Sequence, residues 1–289
     1  MSEITFSATP EVGVAALARA VSAVFQSVPY EHEPFPPPTP EFFIDGFRVH
    51  NVDLAHSVVA RDAGGQIVGI AVLARRGERA YCADFGVVPE FRRRGIGRGL
   101  MEAFLEETRR TGARTVELAA DAGKTANPAV RIYKGAGFRT VRNLAALTGS
   151  AGEVALVNAA VEVRPCEVDA VVNWFGGERS TKPLWERELS SLLAEADARA
   201  LLAVRDGGER AFLLHCWRPG LGVIELLHLG LAAEAVAEDV RALLAVAARE
   251  APTARLLDQG QPVGSRAHRL LQAAGLREME VILEMARPL

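Results

Sequence analysis

Cysteines and long apolar runs are scarce in this chain of 289 residues, and each scarcity excludes a class of protein. The three cysteines, Cys82, Cys166 and Cys216, lie far apart and form no C-x-x-C pair, so the sequence predicts neither a disulfide framework nor a zinc site. Apolar runs such as residues 242–248 are much shorter than the ~20 residues that a membrane span needs. No basic stretch followed by an apolar run opens the chain, so no signal peptide is predicted. We therefore expect a cytoplasmic protein without a metal and without a membrane partner.

An excess of one charge is also absent. The chain has 33 Lys and Arg against 36 Asp and Glu, a formal net charge of −3. Such a chain is not built to hold nucleic acid by bulk electrostatics, so any anion site must be local. The composition, 49% hydrophobic and 24% charged, is that of a folded globular protein. At about 150 residues per domain, the length predicts two domains.

The hydrophobic periodicity predicts two successive units of the same α/β type. In the first half the predicted order is β-α-α-β-β-β-α-β-α-β, with a long helix over residues 97–111 and a short one over 128–136. Residues 149–152, Gly-Ser-Ala-Gly, are typical of a linker, and after them the order returns, with predicted helices over residues 184–196 and 232–249. We therefore predict an α/β protein with an α+β mixed sheet and two domains, residues 1–149 and residues 153–289.

One stretch of the first half combines glycines and arginines between a strand and a helix. It is the segment Arg92-Arg93-Arg94-Gly95-Ile96-Gly97-Arg98. A helix start exposes unpaired N–H groups and a partial positive charge, and glycines let a ligand approach the backbone closely. The pattern therefore predicts a phosphate or pyrophosphate site. The alternative is a solvated basic turn before a surface helix. Neither a P-loop nor the G-x-G-x-x-G dinucleotide fingerprint is present.

This segment resembles the GNAT superfamily of acyl-CoA-dependent N-acyltransferases. Residues 92–97 match the family's [RQ]-x-x-G-x-[GA] loop, and residues 87–91 are a typical lead-in. Downstream, residues 129–138 resemble the family's A-x-x-[LI]-Y-x-x-x-G-F helix. The resemblance covers Met1 to about Leu147.

The resemblance implies acetyl-CoA as co-substrate, with the pantetheine arm lying between two splayed strands and the pyrophosphate on the backbone N–H groups of residues 93–98. The implied cofactor-binding residues are Phe85, Val87, Arg92, Arg93, Arg94, Gly95, Ile96, Gly97, Arg98, Asn127 and Tyr133. Asn127 stands one position later than the asparagine of most relatives. An N-cap role before Pro128 is an equally good alternative for it.

The transfer of an acyl group to an amine needs an acid for the leaving thiolate and a base for the amine. A tyrosine has a pKa near that of a thiolate's conjugate acid, so we predict Tyr133 as general acid; the alternative is a core aromatic packed on Phe138. Asp84 is the predicted base, because acidic residues recur at that position in relatives, and Glu117 is a second candidate. The glutamate that usually precedes the Asp84 position is Ala83 here. Either carboxylate could instead be structural.

The acceptor pocket in such folds is built from the first two helices and their connection. Glu31 could attract a cationic amine, and Phe35, Phe42 and Phe43 could form an apolar wall. The alternative for this region is a long surface loop. We predict a small-molecule primary amine as the partner and no nucleic acid.

The second half aligns with the first but lacks its chemistry. The positions of Arg93 and Gly97 fall on Glu234 and Glu238, and that of Tyr133 falls on Leu271. Carboxylates at a helix start satisfy that end and repel pyrophosphate. The predicted function is therefore N-acetyl transfer by the first half. Two alternatives stay open at this point: a non-catalytic acyl-CoA-binding module, and a nucleic-acid patch at the arginines, which the net charge disfavours.

Overall fold

A computed structural model describes residues 3–25, 38–122, 127–154, 161–175 and 182–289. The chain forms two compact units: Met1–Arg142 together with Leu283–Leu289, and Asn143–Ile282. In the described ranges, no helix combines the length and the apolar character that a membrane crossing requires.

The strands and helices are numbered in chain order. The strands are β1 Thr5–Ala8, β2 Val58–Arg61, β3 Ile67–Arg76, β4 Arg79–Val87, β5 Thr115–Asp121, β6 Arg139–Ser150, β7 Glu162–Cys166, β8 Arg199–Arg205, β9 Gly208–Arg218, β10 Val223–Leu231, β11 Arg255–Pro262 and β12 Arg277–Pro288. The helices are α1 Val14–Phe25, α2 Pro40–Val49, α3 Ile96–Arg110, α4 Pro128–Gly135, α5 Ala151–Val154, α6 Val171–Trp174, α7 Leu189–Ala194, α8 Ala237–Ala248 and α9 Arg266–Ala273. The predicted α/β class is confirmed.

The first unit is a mixed sheet in the order β1-β2-β3-β4-β5-β12. The pairs from β1 to β4 are antiparallel, and β4 pairs with β5 in parallel. Strand β3 is buried on both faces: Ile70 and Val72 pack with α1 and α2, whereas Ala71 and Leu73 pack with α3. The apolar stripes of the helices on both faces bury the sheet, and this leaves the carboxyl ends of β4 and β5 to form a site.

The division into units differs from the predicted boundary. Residues 283–289 return to the first unit, and the last part of β6, from Asn143, belongs to the second. Met285 is fully buried in the first unit's core, and the N–H of Leu289 donates to the carbonyl of Arg114 at 3.0 Å. The predicted linker is also wrong: β6 runs through Ser150, and Ala151 begins α5. The functional assignment of each half stays a prediction.

The second unit repeats the arrangement in the order β6-β11-β10-β9-β8-β7, with β10 and β11 parallel. Two predicted helices are shorter than expected. Helix α8 begins at Ala237 rather than at residue 232, because the guanidinium of Arg266 donates hydrogen bonds to the carbonyls of Ala232, Ala233 and Ala235. The predicted helix over residues 184–196 is a single turn at Trp185–Arg187 followed by α7.

Candidate active site

The site lies where two parallel strands of the first unit separate. Strands β4 and β5 pair only from Arg79 with Thr115 to Tyr81 with Glu117. Within the described strands, the remainder of β4, residues 82–87, and of β5, residues 118–121, form no ladder with each other. The two strands therefore diverge beyond Tyr81 and Glu117, and an extended ligand can lie between them, as a peptide lies along a sheet edge.

A β-bulge at Ala83 changes which face each following side chain of β4 occupies. Cys82 is opposite Leu73 on β3, but Asp84 is opposite Val72, so Ala83 is the extra residue. Leu73 and Val72 belong to opposite faces of the sheet. Asp84 therefore lies on the face of α1 and α2, whereas Cys82 lies on the face of α3 and α4.

Helix α3 begins without a side-chain cap, after the glycine-arginine turn that follows β4. Its N-cap residue is Gly95, in the left-handed conformation with φ of 82°, and Arg93 is also left-handed with φ of 61°. The amides of Ile96 and Gly97 lead the helix and have no backbone acceptor in the described part of the chain. Successive N–H groups in a turn of this kind form a concave anion site, and the helix dipole adds to it.

The four arginines predicted around this turn are all exposed, and two of them also shape it. Arg92 donates from Nε to the carbonyl of Val87 at 2.8 Å. Arg94 donates from Nη2 to the carbonyl of Glu90 at 2.8 Å, and its guanidinium lies 5.1 Å from the ring centre of Phe91. Arg93 and Arg98 extend beside the helix start. The turn is therefore basic and also internally braced.

Gly97 has a packing role in addition to its amide, which has no backbone acceptor in the described part of the chain. A Cβ at this position would lie 2.8 Å from Cδ1 of Ile132 on α4, too close for any larger residue without movement. The glycine therefore lets α3 and α4 approach each other next to the anion site. Sequence reasoning predicted only the close approach of a ligand at this glycine.

Helix α4 carries Tyr133 and is capped at both ends. At its start the Asn127 side chain accepts from the N–H of Ala129 and donates to the carbonyl of Asp121, both at 2.9 Å. At its end Gly137 is left-handed, and the N–H of Phe138 donates to the carbonyl of Tyr133 at 3.0 Å, a Schellman motif. The Asn127 side chain therefore has the N-cap role that was the alternative to binding pantetheine.

Tyr133 is buried beside the gap between β4 and β5. Its ring makes edge contacts with Phe85 at 5.5 Å and with Phe138 at 6.0 Å between ring centres. Burial, with the charge of Asp84 as a smaller cause, raises the pKa of Tyr133 well above 10. Among the described residues, none is hydrogen-bonded to its hydroxyl. The phenol therefore stays protonated at neutral pH and can donate to a ligand.

The two candidate bases differ in their surroundings. Glu117 forms an ion pair with Arg79 at 3.1 Å, at the closed end of the β4–β5 pair. Asp84 is half-buried in the open part of β4, and its charge acts on both Tyr133 and Cys82. The thiol of Cys82 is buried, and this burial raises its pKa far above the usual value, so Cys82 is not a thiolate at neutral pH. This geometry favours Asp84 over Glu117.

A groove of about 690 Å³ lies between α3 and α4 and begins at Arg98, in the first turn of α3. Its charged lining residues are Arg98, Glu102, Glu106, Arg109, Arg131 and Arg287. Sequence reasoning missed Arg131 and Arg287. Arg131 stands two residues before Tyr133 on an exposed helix face and could have been found by helical spacing, whereas no local signal connects residue 287 with this groove.

The predicted acceptor residues are only partly described. Phe42 is 40% exposed, whereas Phe43 is buried and stacks on Phe25 with ring centres 5.9 Å apart. Glu31 and Phe35 lie outside the described residues. Among the residues in the described ranges, no three His, Cys, Asp or Glu side chains gather as a metal site.

The second unit has the same arrangement of strands and helices, but different side chains occupy the positions of the candidate site. At the start of α8, the Asp239 carboxylate accepts from the N–H of Val236 at 2.9 Å and pairs with Arg205 at 2.9 Å. An internal anion thus caps the helix that corresponds to α3. The prediction assigned this role to Glu234 and Glu238; the residue is instead Asp239, the third residue of the helix, where a capping carboxylate is common.

Two further positions of the second unit also lack the side chains that form the candidate site of the first unit. The bulge of β10 at Leu227 places His228 where the first unit has Asp84. Burial lowers the pKa of His228 to about 4, so its ring is neutral at pH 7. Leu271, at the position of Tyr133, is fully buried. The second unit therefore offers neither the open helix start nor the phenol.

Comparison with known proteins agrees with this geometry. The chain is similar in structure to a GCN5-related N-acetyltransferase from Sphaerobacter thermophilus, with a TM-score of 0.69, 19% identity, and coverage of 99% of this chain and 95% of the other. It is also similar to a tandem GNAT protein from the clavulanic acid biosynthesis pathway, with a TM-score of 0.71, 15% identity, and coverage of 100% and 98%. A GCN5-related N-acetyltransferase from Kribbella flavida has a TM-score of 0.58 at 18% identity over 100% of this chain and 71% of its own.

At these identities the structures establish the fold alone. A search of curated proteins found no match to the sequence. Residues 19–138, which contain the splayed strands, the glycine-arginine turn and α4, match the sequence family described as the acetyltransferase (GNAT) family. By this match, residues 19–138 form a GNAT acetyltransferase domain within the first half of the chain.

Proposed function

We propose that the protein transfers an acetyl group from acetyl-CoA to the primary amine of a small molecule, and that the first unit performs the reaction. One observation carries the proposal: an uncapped helix start, a gap between β4 and β5, and the protonated phenol of Tyr133 converge in the first unit. The corresponding helix of the second unit is capped by its own Asp239.

The residues present fit the parts of acetyl-CoA. The amides of Ile96 and Gly97 and the exposed arginines at the turn suit a pyrophosphate. The part of β4 beyond Tyr81, which forms no ladder with β5, suits an extended pantetheine arm. The groove that begins at Arg98 and is lined by Arg131 suits a negatively charged nucleotide end.

In the proposed reaction the amine nitrogen bonds to the thioester carbonyl carbon, and the carbon–sulfur bond breaks. Tyr133 gives its phenolic proton to the departing sulfur, and Asp84 accepts the proton that the amine loses, directly or through water. The bulge places Asp84 on the face of α1 and α2, opposite the face of Tyr133. Acid and base thus serve opposite sides of the gap, and an amine that arrives from the side of α1 and α2 meets the base first.

For the acceptor we retain an amine with apolar surface. Phe42 is exposed on α2 and could contact such a molecule, with Phe43 packed behind it. The attraction of a cationic amine by Glu31 and the apolar wall formed by Phe35 stay predictions.

The proposal is tested by giving α3 the type of cap that α8 has. Arg98 occupies the third position of α3, as Asp239 does in α8, so R98D places a carboxylate within reach of the anion site. Loss of a charge-assisted contact and gain of repulsion predict an acetyl-CoA Kd that rises about 100-fold. The control R110D makes the same charge change at the exposed end of α3 and leaves Kd within about twofold.

Calorimetric titration measures both variants. The wild-type chain is expected to bind one acetyl-CoA. Binding of two, or an R98D variant that binds as tightly as wild type, contradicts the assignment of the site to the first unit.

A second candidate, an acyl-CoA-binding module without turnover, is favoured by one observation: Ala83, where most relatives have a glutamate, is the bulge residue and carries no carboxylate. Release of free thiol from acetyl-CoA across a panel of primary amines separates the two candidates. Binding with no thiol release for any amine supports the module, and release that depends on the amine supports the transferase.

A further inference from the structure

The last residues of the chain lie in the first unit and reach the helix that carries Tyr133. Residues 283–289 belong to this unit, and β12 is the neighbour of β5 in its sheet. Met285 is 0% exposed and shares a core with Tyr133 and Phe138. The end of the chain is thus a component of the domain whose family motifs lie about 150 residues earlier in the sequence.

Arg287 is the residue of this segment that contacts α4 with a polar group. Its guanidinium donates from Nη1 to the carbonyl of Ala136, the residue that ends α4. The same guanidinium lies beside Gly137, where a Cβ would be 3.5 Å from Nη1. A cation at a helix end satisfies a free carbonyl and interacts favourably with the helix dipole.

The bond acts at the turn that fixes the position of Tyr133. Ala136 and Phe138 both donate their N–H groups to the carbonyl of Tyr133, at 3.1 Å and 3.0 Å. A shift of Ala136 therefore moves the backbone of Tyr133 directly. Asn127 holds only the first turn of the same helix.

We propose that Arg287 is a positioning residue of the acetyltransferase site: it anchors the end of α4 and thereby holds the Tyr133 phenol at the gap between β4 and β5. This rests on the proposed function for its catalytic consequence and on the contacts of α4 for its structural one. A misplacement of about 1 Å in a catalytic group can cost on the order of 100-fold in rate. Loss of one of several anchors is expected to lower kcat about tenfold.

The experiment compares three variants of the full chain. R287A removes the bond, R287K keeps a cation that can reach the same carbonyl, and R110A removes an exposed arginine of α3 that is not part of the groove lining and pairs with Glu107. Hydrogen exchange of the α4 amides is measured without ligand. Kinetics with acetyl-CoA and 2-phenylethylamine give kcat, and calorimetry gives the Kd of acetyl-CoA.

For R287A, the α4 amides are expected to exchange about tenfold faster than in the wild type, with kcat about tenfold lower and Kd changed by less than twofold. R287K recovers at least half of kcat, and R110A leaves α4 exchange and kcat unchanged. Unaltered α4 exchange in R287A overturns the proposal, as does normal kcat with faster exchange.

If R287A weakens acetyl-CoA binding while α4 exchange is unaltered, Arg287 is only a charge of the groove, and the positioning role is wrong. If the wild type releases no thiol from acetyl-CoA with any amine of the panel described above, the proposed function fails separately. The exchange of α4 then still decides whether Arg287 anchors the helix.

Discussion

Replacement of Tyr133 by phenylalanine tests the proposed chemistry with the smallest change of structure. The ring stays between Phe85 and Phe138, and only the hydroxyl is removed. Since no described residue is hydrogen-bonded to that hydroxyl, the free energy of unfolding is expected to change by less than about 1 kcal/mol. The variant therefore separates catalysis from folding.

The expected effect on turnover follows from the role of a general acid. Such a group contributes about 10²- to 10⁴-fold in rate, which corresponds to roughly 3–5 kcal/mol in the activation free energy. Because the raised pKa of Tyr133 keeps the phenol protonated, this loss is expected across the neutral range. The Kd of acetyl-CoA should change by less than about threefold, since the anion site at Gly95–Gly97 is unaltered.

Thiol release measures kcat, and calorimetry measures Kd for the same preparations. Y81F is the matched control, because Tyr81 is a buried tyrosine of β4 in the closed part of the β4–β5 pair. It should retain kcat within about twofold. If Y133F keeps wild-type turnover, Tyr133 is only a core aromatic and the proposed acid is wrong.

Two further predictions concern stability. Burial raises the pKa of Asp258 from 3.8 to about 6, so the folded protein binds this proton more tightly than the unfolded chain does. The stability gained from this proton is complete below pH 3.8 and is lost as the pH rises through 6. D258N, which carries no charge, should therefore gain about 2 kcal/mol in unfolding free energy relative to wild type between pH 4 and pH 7.5; a difference independent of pH in urea unfolding refutes this. At Gly86 an added Cβ would lie 2.2 Å from Cγ1 of Val24, so G86A should cost about 1–3 kcal/mol. V24A should offset part of that cost in the double variant, and purely additive losses contradict the packing argument.

Local sequence was sufficient for those elements whose hydrophobic period and end signals agree. Residues 97–111 and 128–136 were predicted as helices, and α3 and α4 cover nearly the same residues. The glycine-arginine turn could be recognised because a left-handed N-cap requires a residue such as Gly95. Helix α8 was predicted to start five residues too early, because the alanines at 232, 233 and 235 favour a helix. In the structure the distant Arg266 donates hydrogen bonds to their carbonyls instead.

The site needed information that is not local. The bulge at Ala83, which separates the faces of Cys82 and Asp84, depends on how β4 aligns with β3 and leaves no mark in the residues of β4. The same holds for the ion pair between Arg79 and Glu117, which joins two strands and supports the proposal of Asp84 rather than Glu117 as the base.

The sequence was enough to indicate a GNAT-type unit, its anion-binding turn and its tyrosine, because each depends on residues close together in the chain. The strand that lies next to β5 in the first unit is known only from the folded structure. Strand β12 is the neighbour of β5, and it is held there by Met285 in the core and by the hydrogen bond from the Leu289 N–H to the Arg114 carbonyl. Contacts between residues so far apart are selected by packing energy in the folded state, so the place of Arg287 beside α4 could be read only from the structure.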